Sequence, residues 1–245
     1  MQTKSFRVDR YISKQLKINR RDIKLMLAQG RIVINGEIVR EVNTIVEEFD
    51  HVVCDGRVLQ NNKPLYIMLN KPVGVVSATK DDQHKTVMSL LQGYSEDELN
   101  SLHIVGRLDL NTSGLLLLTN DSYWSRKLMS PEAKVSKTYR VELENDLTEN
   151  YVSAFSEGMY FSFEGITTQP AQLKILEHNI AEVVLTEGKY HQIKRMFGRF
   201  RNPVLALHRS AIGNLTLGSE LAIGKSRALT SEEVSGIFSK VSSEH

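Results

Sequence analysis

Asp109 is the only carboxylate between Asn100 and Asp121, and Arg107 stands two residues before it. The acid lies in a polar turn, Gly106 to Gly114, between the apolar pairs and runs Ile104-Val105 and Leu115 to Leu118. Short apolar runs bounded by Gly, Asn and Ser are the trace of buried strands joined by a loop. A lone carboxylate held between such strands, with a cation beside it, has the setting of a catalytic group. The same position suits an aspartate that caps its own turn through an Asx hydrogen bond. Spacing alone leaves both readings open.

Other groups that could do chemistry are fewer. Asp81, Asp82 and His84 form a polar cluster without further ligands at metal spacing, which reads as a loop that solvates itself. The single cysteine, Cys54, excludes an intramolecular disulfide and any CxxC metal site, and fits a reducing compartment. No GxGxxG dinucleotide loop is present. Late in the chain Ile193, Met196, Phe197 and Phe200 repeat at helical spacing, an apolar stripe that must face a core. Lys194, Arg195, Arg199 and Arg201 occupy the other side, where cations need be no more than a solvated face.

These residues must be carried by a scaffold. A chain of 245 residues accommodates one large domain, or a small one joined to a larger one, and 41% hydrophobic residues suffice for a packed core. The net charge of +2 hides an asymmetry. Residues 1–31 hold Lys4, Arg7, Arg10, Lys14, Lys17, Arg20, Arg21, Lys24 and Arg31 against Asp9 and Asp22, so that this segment carries +7 and the remainder −5. Charge gathered at one end points to a polyanion-binding module. Within it, Val8, Tyr11, Ile12 and Leu16 share one helical face, and Asn19 is an N-cap for a second helix from Arg20 to Gln29 that Gly30 ends. Arg31 to Ile34 and Asn35-Gly36 then read as a strand and a tight hairpin turn.

From Gly56 to Pro64 the chain turns polar, as a linker would. Leu65 to Leu69, Thr138 to Leu143, Ala171 to Leu176 and Ala181 to Thr186 read as strands. Asp121 caps a helix through Met129, Thr148 begins another, and Thr230 with Glu233 forms a capping box for a terminal one. Lys4, Arg7 and Arg10 have no apolar core behind them, so no secretory leader is expected. The longest aliphatic run, Leu115 to Leu118, is far too short for a bilayer, so the expectation is a soluble, cytoplasmic chain with no membrane partner.

GRLD followed by SGLLLLTND closely resembles the active-site motif of the pseudouridine synthases, in the branch that modifies bacterial ribosomal RNA. The resemblance covers the whole chain. LNKPVG resembles the opening motif of the catalytic domain, Lys137-Thr138-Tyr139 the second motif, EGKYHQIKRMF the third, and PVLALHR a family strand. The two basic helices with RIVINGEIV resemble the S4-type RNA-binding domain. The resemblance implies an α/β (α+β) chain: a small S4-like αα-hairpin domain over residues 1–60, then a catalytic domain over residues 61–245. The latter would be a mixed, mainly antiparallel sheet flanked by helices.

The implied reaction breaks the C–N glycosidic bond of a uridine, turns the base over and makes a C–C bond in its place. It needs a carboxylate and neither metal nor cofactor. Carried over residue by residue, the catalytic groups would be Asp109, Tyr139 and Lys194, the last standing where many relatives have arginine; Lys194 is the favoured partner of Asp109. Arg107 would fill the gap left by the extruded base. Arg7, Arg10, Arg20, Arg21, Lys24, Arg31, Lys71 and Arg195 complete the expected RNA contacts. LNKPVG, DDQHKTV and HQIKRMF together fit the small-subunit branch, which implies uridine 516 of 16S RNA as substrate. The partner would be ribosomal RNA in a small-subunit assembly intermediate, met by a monomer. A 23S RNA synthase of the same family, and a non-catalytic ribosome assembly factor, are the alternatives. A glycoside hydrolase would want a second flanking carboxylate, which these motifs lack.

Overall fold

A computed structural model describes residues 5–162 and 164–239; Lys4, one of the nine N-terminal cations, lies outside the described residues. The chain divides into two compact units between Pro64 and Leu65.

The N-terminal unit begins with β1 (Phe6–Arg7), α1 (Val8–Leu16) and α2 (Arg20–Ala28). Val8, Tyr11 and Ile12 of α1 pack on Ile23, Met26 and Leu27 of α2, as the helical spacing requires. The Asn19 side chain accepts the Asp22 backbone N–H at 3.0 Å, which caps α2. Five short strands follow: β2 (Ile32–Ile34), β3 (Glu37–Ile38), β4 (Ile45–Val46), β5 (His51–Cys54) and β6 (Arg57–Asn61). Four of them form an antiparallel sheet in the order β3-β2-β5-β6, and β4 pairs with β1. Asn35 and Gly36 both take positive φ (52° and 87°), the geometry of a two-residue hairpin.

The stretch expected to be a linker is instead a strand for most of its length. Asp55 and Gly56, with φ of 51° and 75°, turn the chain back so that β6 pairs with β5. Its polar composition suits a sheet edge whose outer face is solvated. Leu59 nevertheless packs against the core, and its carbonyl accepts the Tyr11 hydroxyl at 3.2 Å.

The second unit opens with β7 (Tyr66–Lys71), α3 (Glu96–Ser101), β8 (His103–Val105), β9 (Ser113–Thr119) and α4 (Ser122–Met129). It continues with β10 (Lys137–Leu143), α5 (Glu149–Glu157), β11 (Tyr160–Phe161), β12 (Ile166–Thr167), β13 (Gln172–Glu177) and β14 (Ile180–Leu185). The last elements are α6 (Gln192–Gly198), β15 (Val204–Ile212), β16 (Leu215–Thr216), β17 (Ser226–Ala228) and α7 (Ser231–Gly236). One mixed sheet runs β13-β14-β10-β15-β9-β7-β17, with β16 on β15 and β8 on β9. Every pairing along it is antiparallel except β15 with β9, so the expected mixed, mainly antiparallel sheet is present.

That single parallel step joins the two halves of the sheet, and it is tight. A Cβ on Gly114, at the start of β9, would lie 2.2 Å from the Arg209 carbonyl oxygen of β15, so only glycine allows the approach. Phe155 of α5 and Met196 and Phe197 of α6 bury against Val141, Leu173 and Val183 on one half. Trp124 and Leu128 of α4 join Ile237 over Leu115, Leu117 and Met68 on the other. The remaining face of β7 and β9 is closed by Val87, Leu91, Leu102 and Leu108. The turn bearing Asp109 is thus fixed by strands buried on both sides.

Candidate active site

Lys71 ends β7 fully buried, and its ammonium group donates to the backbone carbonyls of Thr112 at 2.8 Å, Pro72 at 3.0 Å and Asp109 at 3.1 Å, with the Leu110 carbonyl farther off at 3.5 Å. An ammonium has three hydrogens, and here each meets an oxygen. The Gly74 N–H donates to the Leu110 carbonyl at 2.9 Å. Ser77 Oγ donates to the Leu108 carbonyl at 2.7 Å and accepts the Leu108 N–H at 3.1 Å. The NKPVG segment therefore clamps the Asp109 turn from below. Lys71 cannot reach RNA phosphate, contrary to the expectation; its surroundings are protein, and burial pulls its pKa down to about 8 against the opposing charge of Asp109. The sequence conceals this because a lysine at a strand end looks the same whether it points out or in.

Above the turn opens a cavity of about 320 Å³, within the range of small-molecule sites. The Asp109 turn contributes Arg107, Asp109 and Thr112; β10 contributes Lys137 and Tyr139; the segment entering α6 contributes Glu187 to Lys194; β15 contributes Arg209. The expected catalytic trio of Asp109, Tyr139 and Lys194 shares this one cavity, with the exposed Arg107 beside it.

The pairing inside it differs from the expectation. Asp109, a third exposed, faces His191, with Oδ2 3.3 Å from Nε2. Lys194 is half-buried on the same wall and makes no ion pair with Asp109 among the described residues. His191 takes a left-handed backbone (φ 48°) just before α6 and stacks on Tyr190, with ring centroids 3.8 Å apart at 20°. That conformation aims the imidazole at the carboxylate. Nothing in the residue pattern announces a non-glycine left-handed residue, so His191 is not among the site residues the sequence points to.

Lys137 and Arg209 also escape a reading of the sequence alone. Arg209 is 4% exposed, its Nε donating to the Leu115 carbonyl at 2.8 Å and its guanidinium 6.0 Å from the centre of the Tyr139 ring. Lys137 is 8% exposed, and burial followed by the charge of Arg209 lowers its pKa. Arg195 turns away from Asp109: it pairs with Glu164 and lies over the Phe161 ring at 4.0 Å.

The other expected RNA contacts stand on the N-terminal unit. Arg10, Arg20, Arg21 and Lys24 are exposed. Arg7 is exposed too but pairs with buried Asp9 at 3.0 Å, and Arg31 pairs with Asp55 at 2.6 Å. Among the described residues, no group of three or more His, Cys, Asp or Glu side chains is placed to hold a metal ion, and no helix is long and apolar enough to cross a membrane. In chemical terms the cavity gathers one carboxylate facing an imidazole, the Tyr139 ring, and the cations Arg107, Lys137, Lys194 and Arg209.

Residues 65–198 match the model of the RNA pseudouridylate synthase family, and residues 6–53 that of the S4 domain. The chain is 45% identical over 232 residues to the ribosomal small subunit pseudouridine synthase A of Pseudomonas aeruginosa, covering 94% of this chain and 100% of that one. Against the enzyme of the same name from Escherichia coli the identity is 39% over 233 residues, covering 94% and 99%. A crystal structure of a pseudouridylate synthase superposes with a TM-score of 0.68 at 35% identity, over 95% of this chain and 99% of that one.

Proposed function

The chain belongs to the RNA pseudouridylate synthase family, and from that premise we propose that it isomerises one uridine of small-subunit ribosomal RNA, through Asp109. The observation that carries the reading is the Asp109 carboxylate, displayed in a cavity of about 320 Å³ by a turn whose backbone Lys71 holds at Asp109 and Thr112. The reaction redistributes bonds within one nucleotide, so a single well-aimed carboxylate can serve it as nucleophile or base. A uridine in folded RNA must first be extruded. Arg107, exposed at the cavity, would occupy the place it leaves, since a guanidinium both stacks and hydrogen-bonds. Tyr139 would stack on the base and handle the proton at C5, and Lys194 would steady the carboxylate once RNA is bound.

Affinity has a separate source. The S4-type unit presents Arg10, Arg20, Arg21 and Lys24 to solvent, which suits sequence-independent contact with phosphates. The names of the full-length relatives favour the small subunit over a 23S substrate, and uridine 516 of 16S RNA in an assembly intermediate is the specific target proposed. A monomer acting in the cytoplasm would suffice.

Pseudouridine mapping in ribosomal RNA from cells lacking the gene tests the substrate: one site should disappear from 16S RNA and return with the wild-type gene. Purified Asp109→Asn should make no pseudouridine while its RNA affinity stays within a few-fold. Substantial turnover by that variant would remove Asp109 from the chemistry, and an unchanged map would leave the scaffold reading.

A further inference from the structure

Lys137 and Arg209 are the two most deeply buried charges lining the cavity, at 8% and 4% exposure, and neither has an ion pair among the described residues. The carboxylates nearby face other groups: Asp109 Oδ2 lies 3.3 Å from His191 Nε2, and Glu187 lies 3.4 Å from Lys189. Arg209 Nη2 is buried with no hydrogen-bond partner. Thr112 Oγ1, on the same cavity, is buried without one as well. Buried donors are nearly always paired, and two like charges side by side in a poorly solvated wall are costly. The arrangement makes sense when the cavity holds something negative.

We propose that Lys137 and Arg209 form an anion subsite for the detached base, carrying the charge that uracil bears while its glycosidic bond is broken. The inference rests on the pseudouridine synthase reading and adds two residues to its chemistry. As C1′–N1 breaks, the bonding electron pair stays with the base and spreads over N1, O2 and O4, while the Asp109 carboxylate answers the electron deficiency of the sugar. After the base turns over, C5 forms the new bond to C1′, the proton on C5 departs, and N1 takes a proton. Nothing is gained or lost overall.

The symmetry of uracil suits a pair of cations. A half-turn about the N3–C6 axis exchanges N1 with C5 and, with them, O2 with O4. Two donors placed for the two carbonyl oxygens therefore meet the same oxyanion pattern before and after the turn, and hold the charged base in the pocket between. A backbone phosphate would be the wrong occupant. It stays with the strand at the mouth, where Arg107 is exposed, whereas the base is the part of a flipped nucleotide that goes deepest.

The test has a binding arm and a rate arm. Calorimetry on the whole chain would compare uracil, barbiturate (a uracil-shaped ring that is anionic at neutral pH) and inorganic phosphate. Barbiturate should bind wild type at least tenfold more tightly than uracil, and Lys137→Met should erase the preference; equal binding of the two rings, or binding of phosphate alone, overturns the subsite. In single turnover, Lys137→Met should lose about 10²- to 10³-fold in rate, as for other buried donors to a developing oxyanion, with RNA affinity within a few-fold. Lys137→Arg should recover most of it. A loss of RNA affinity with the rate at saturating RNA intact would make Lys137 a phosphate contact and overturn the proposal. Arg209→Lys keeps the charge and removes the Nε donor to Leu115, so it should retain the ring preference; loss of the preference in a folded variant would remove charge at Arg209 from the subsite. Should Lys137→Met not fold, the wild-type ring preference still decides. If wild type makes no pseudouridine, the enzyme reading fails on its own evidence, separately from the ring preference.

Discussion

The two units use positive charge in opposite ways. In the N-terminal unit Arg10, Arg20, Arg21 and Lys24 stand exposed on helices whose other faces build the core. In the second unit Lys71, Lys137 and Arg209 are buried among strands, at 0%, 8% and 4% exposure. Exposed cations act together, are screened by salt, and are nearly interchangeable. The worth of a buried cation depends on which atoms it faces. On the proposed function the first kind would supply affinity and the second geometry and reactivity, so substitutions in the two units should fail in different ways.

The largest effect is expected at Lys71. Methionine there keeps the stem and leaves the carbonyls of Pro72, Asp109 and Thr112 without their donor. At about 1–3 kcal/mol for each orphaned buried acceptor, Lys71→Met should lose roughly 3 kcal/mol or more of unfolding free energy, and turnover should fall to a trace as the Asp109 turn loosens. The effect carries a pH signature. Lys71 has a pKa of about 8 in the fold against 10.5 ordinarily, so between those values the unfolded chain binds a proton that the folded chain has released. Stability from this group therefore rises with pH across that window and is flat below it. Urea unfolding of wild type and Lys71→Met should show a gap that widens from pH 8 to 10.5. A constant gap would mean that water reaches the ammonium group.

Next comes the exposed set. Changing Arg10, Arg20, Arg21 and Lys24 together to glutamine should leave the single-turnover rate at saturating RNA unchanged. Removing one cation from a phosphate should flatten the slope of log affinity against log salt by about 0.7 to 0.9, so removing four should take away roughly 3 units of slope and weaken binding on the order of 100-fold or more at low salt. A variant with the parent's slope and affinity would show that these cations are only a solvated face, and the contrast between the units would lose one of its sides.

The same contrast explains what the sequence disclosed. Counting sufficed for the exposed cations, because their number and clustering matter more than the exact position of any one. Periodicity sufficed for α1, α2, α4 and the strands around Asp109, whose apolar faces bury as their spacing demands. Burial of polar groups was not legible. Lys71 reads as one more basic residue, and only the pairing of β7 with β9 shows that it points under the Asp109 turn. Arg209 is buried because β15 meets β9 in parallel at Gly114, an approach between distant parts of the chain that no local pattern encodes. His191 reaches Asp109 through a left-handed backbone. The linker reading of residues 56–64 fails for a different reason: a polar stretch can still pair as an edge strand, and Asp55-Gly56 is itself a hairpin signal.

The smallest effect concerns Lys194 and Arg195, adjacent in sequence on α6 and different in surroundings. Lys194 lines the cavity without an ion pair to Asp109, whereas Arg195 is neutralised by Glu164 and covers Phe161. If surroundings decide, Lys194→Met should cost about tenfold in single-turnover rate, or ~1.4 kcal/mol, by removing a cation that can steady Asp109 once substrate fills the pocket. Lys194→Arg should restore it, as the charge and the reach are kept. Arg195→Met should leave the rate within twofold and cost at most about 1 kcal/mol of stability, as for a partly exposed pair. The imidazole provides the third arm. Should Lys194→Met be silent while His191→Ala loses the tenfold, the pair seen between His191 and Asp109 is the working one, and Lys194 belongs with the solvated cations. Should Arg195→Met carry the loss instead, Glu164 must release it when RNA binds, and the cation that serves the carboxylate is the one held in reserve on the neighbouring face of α6.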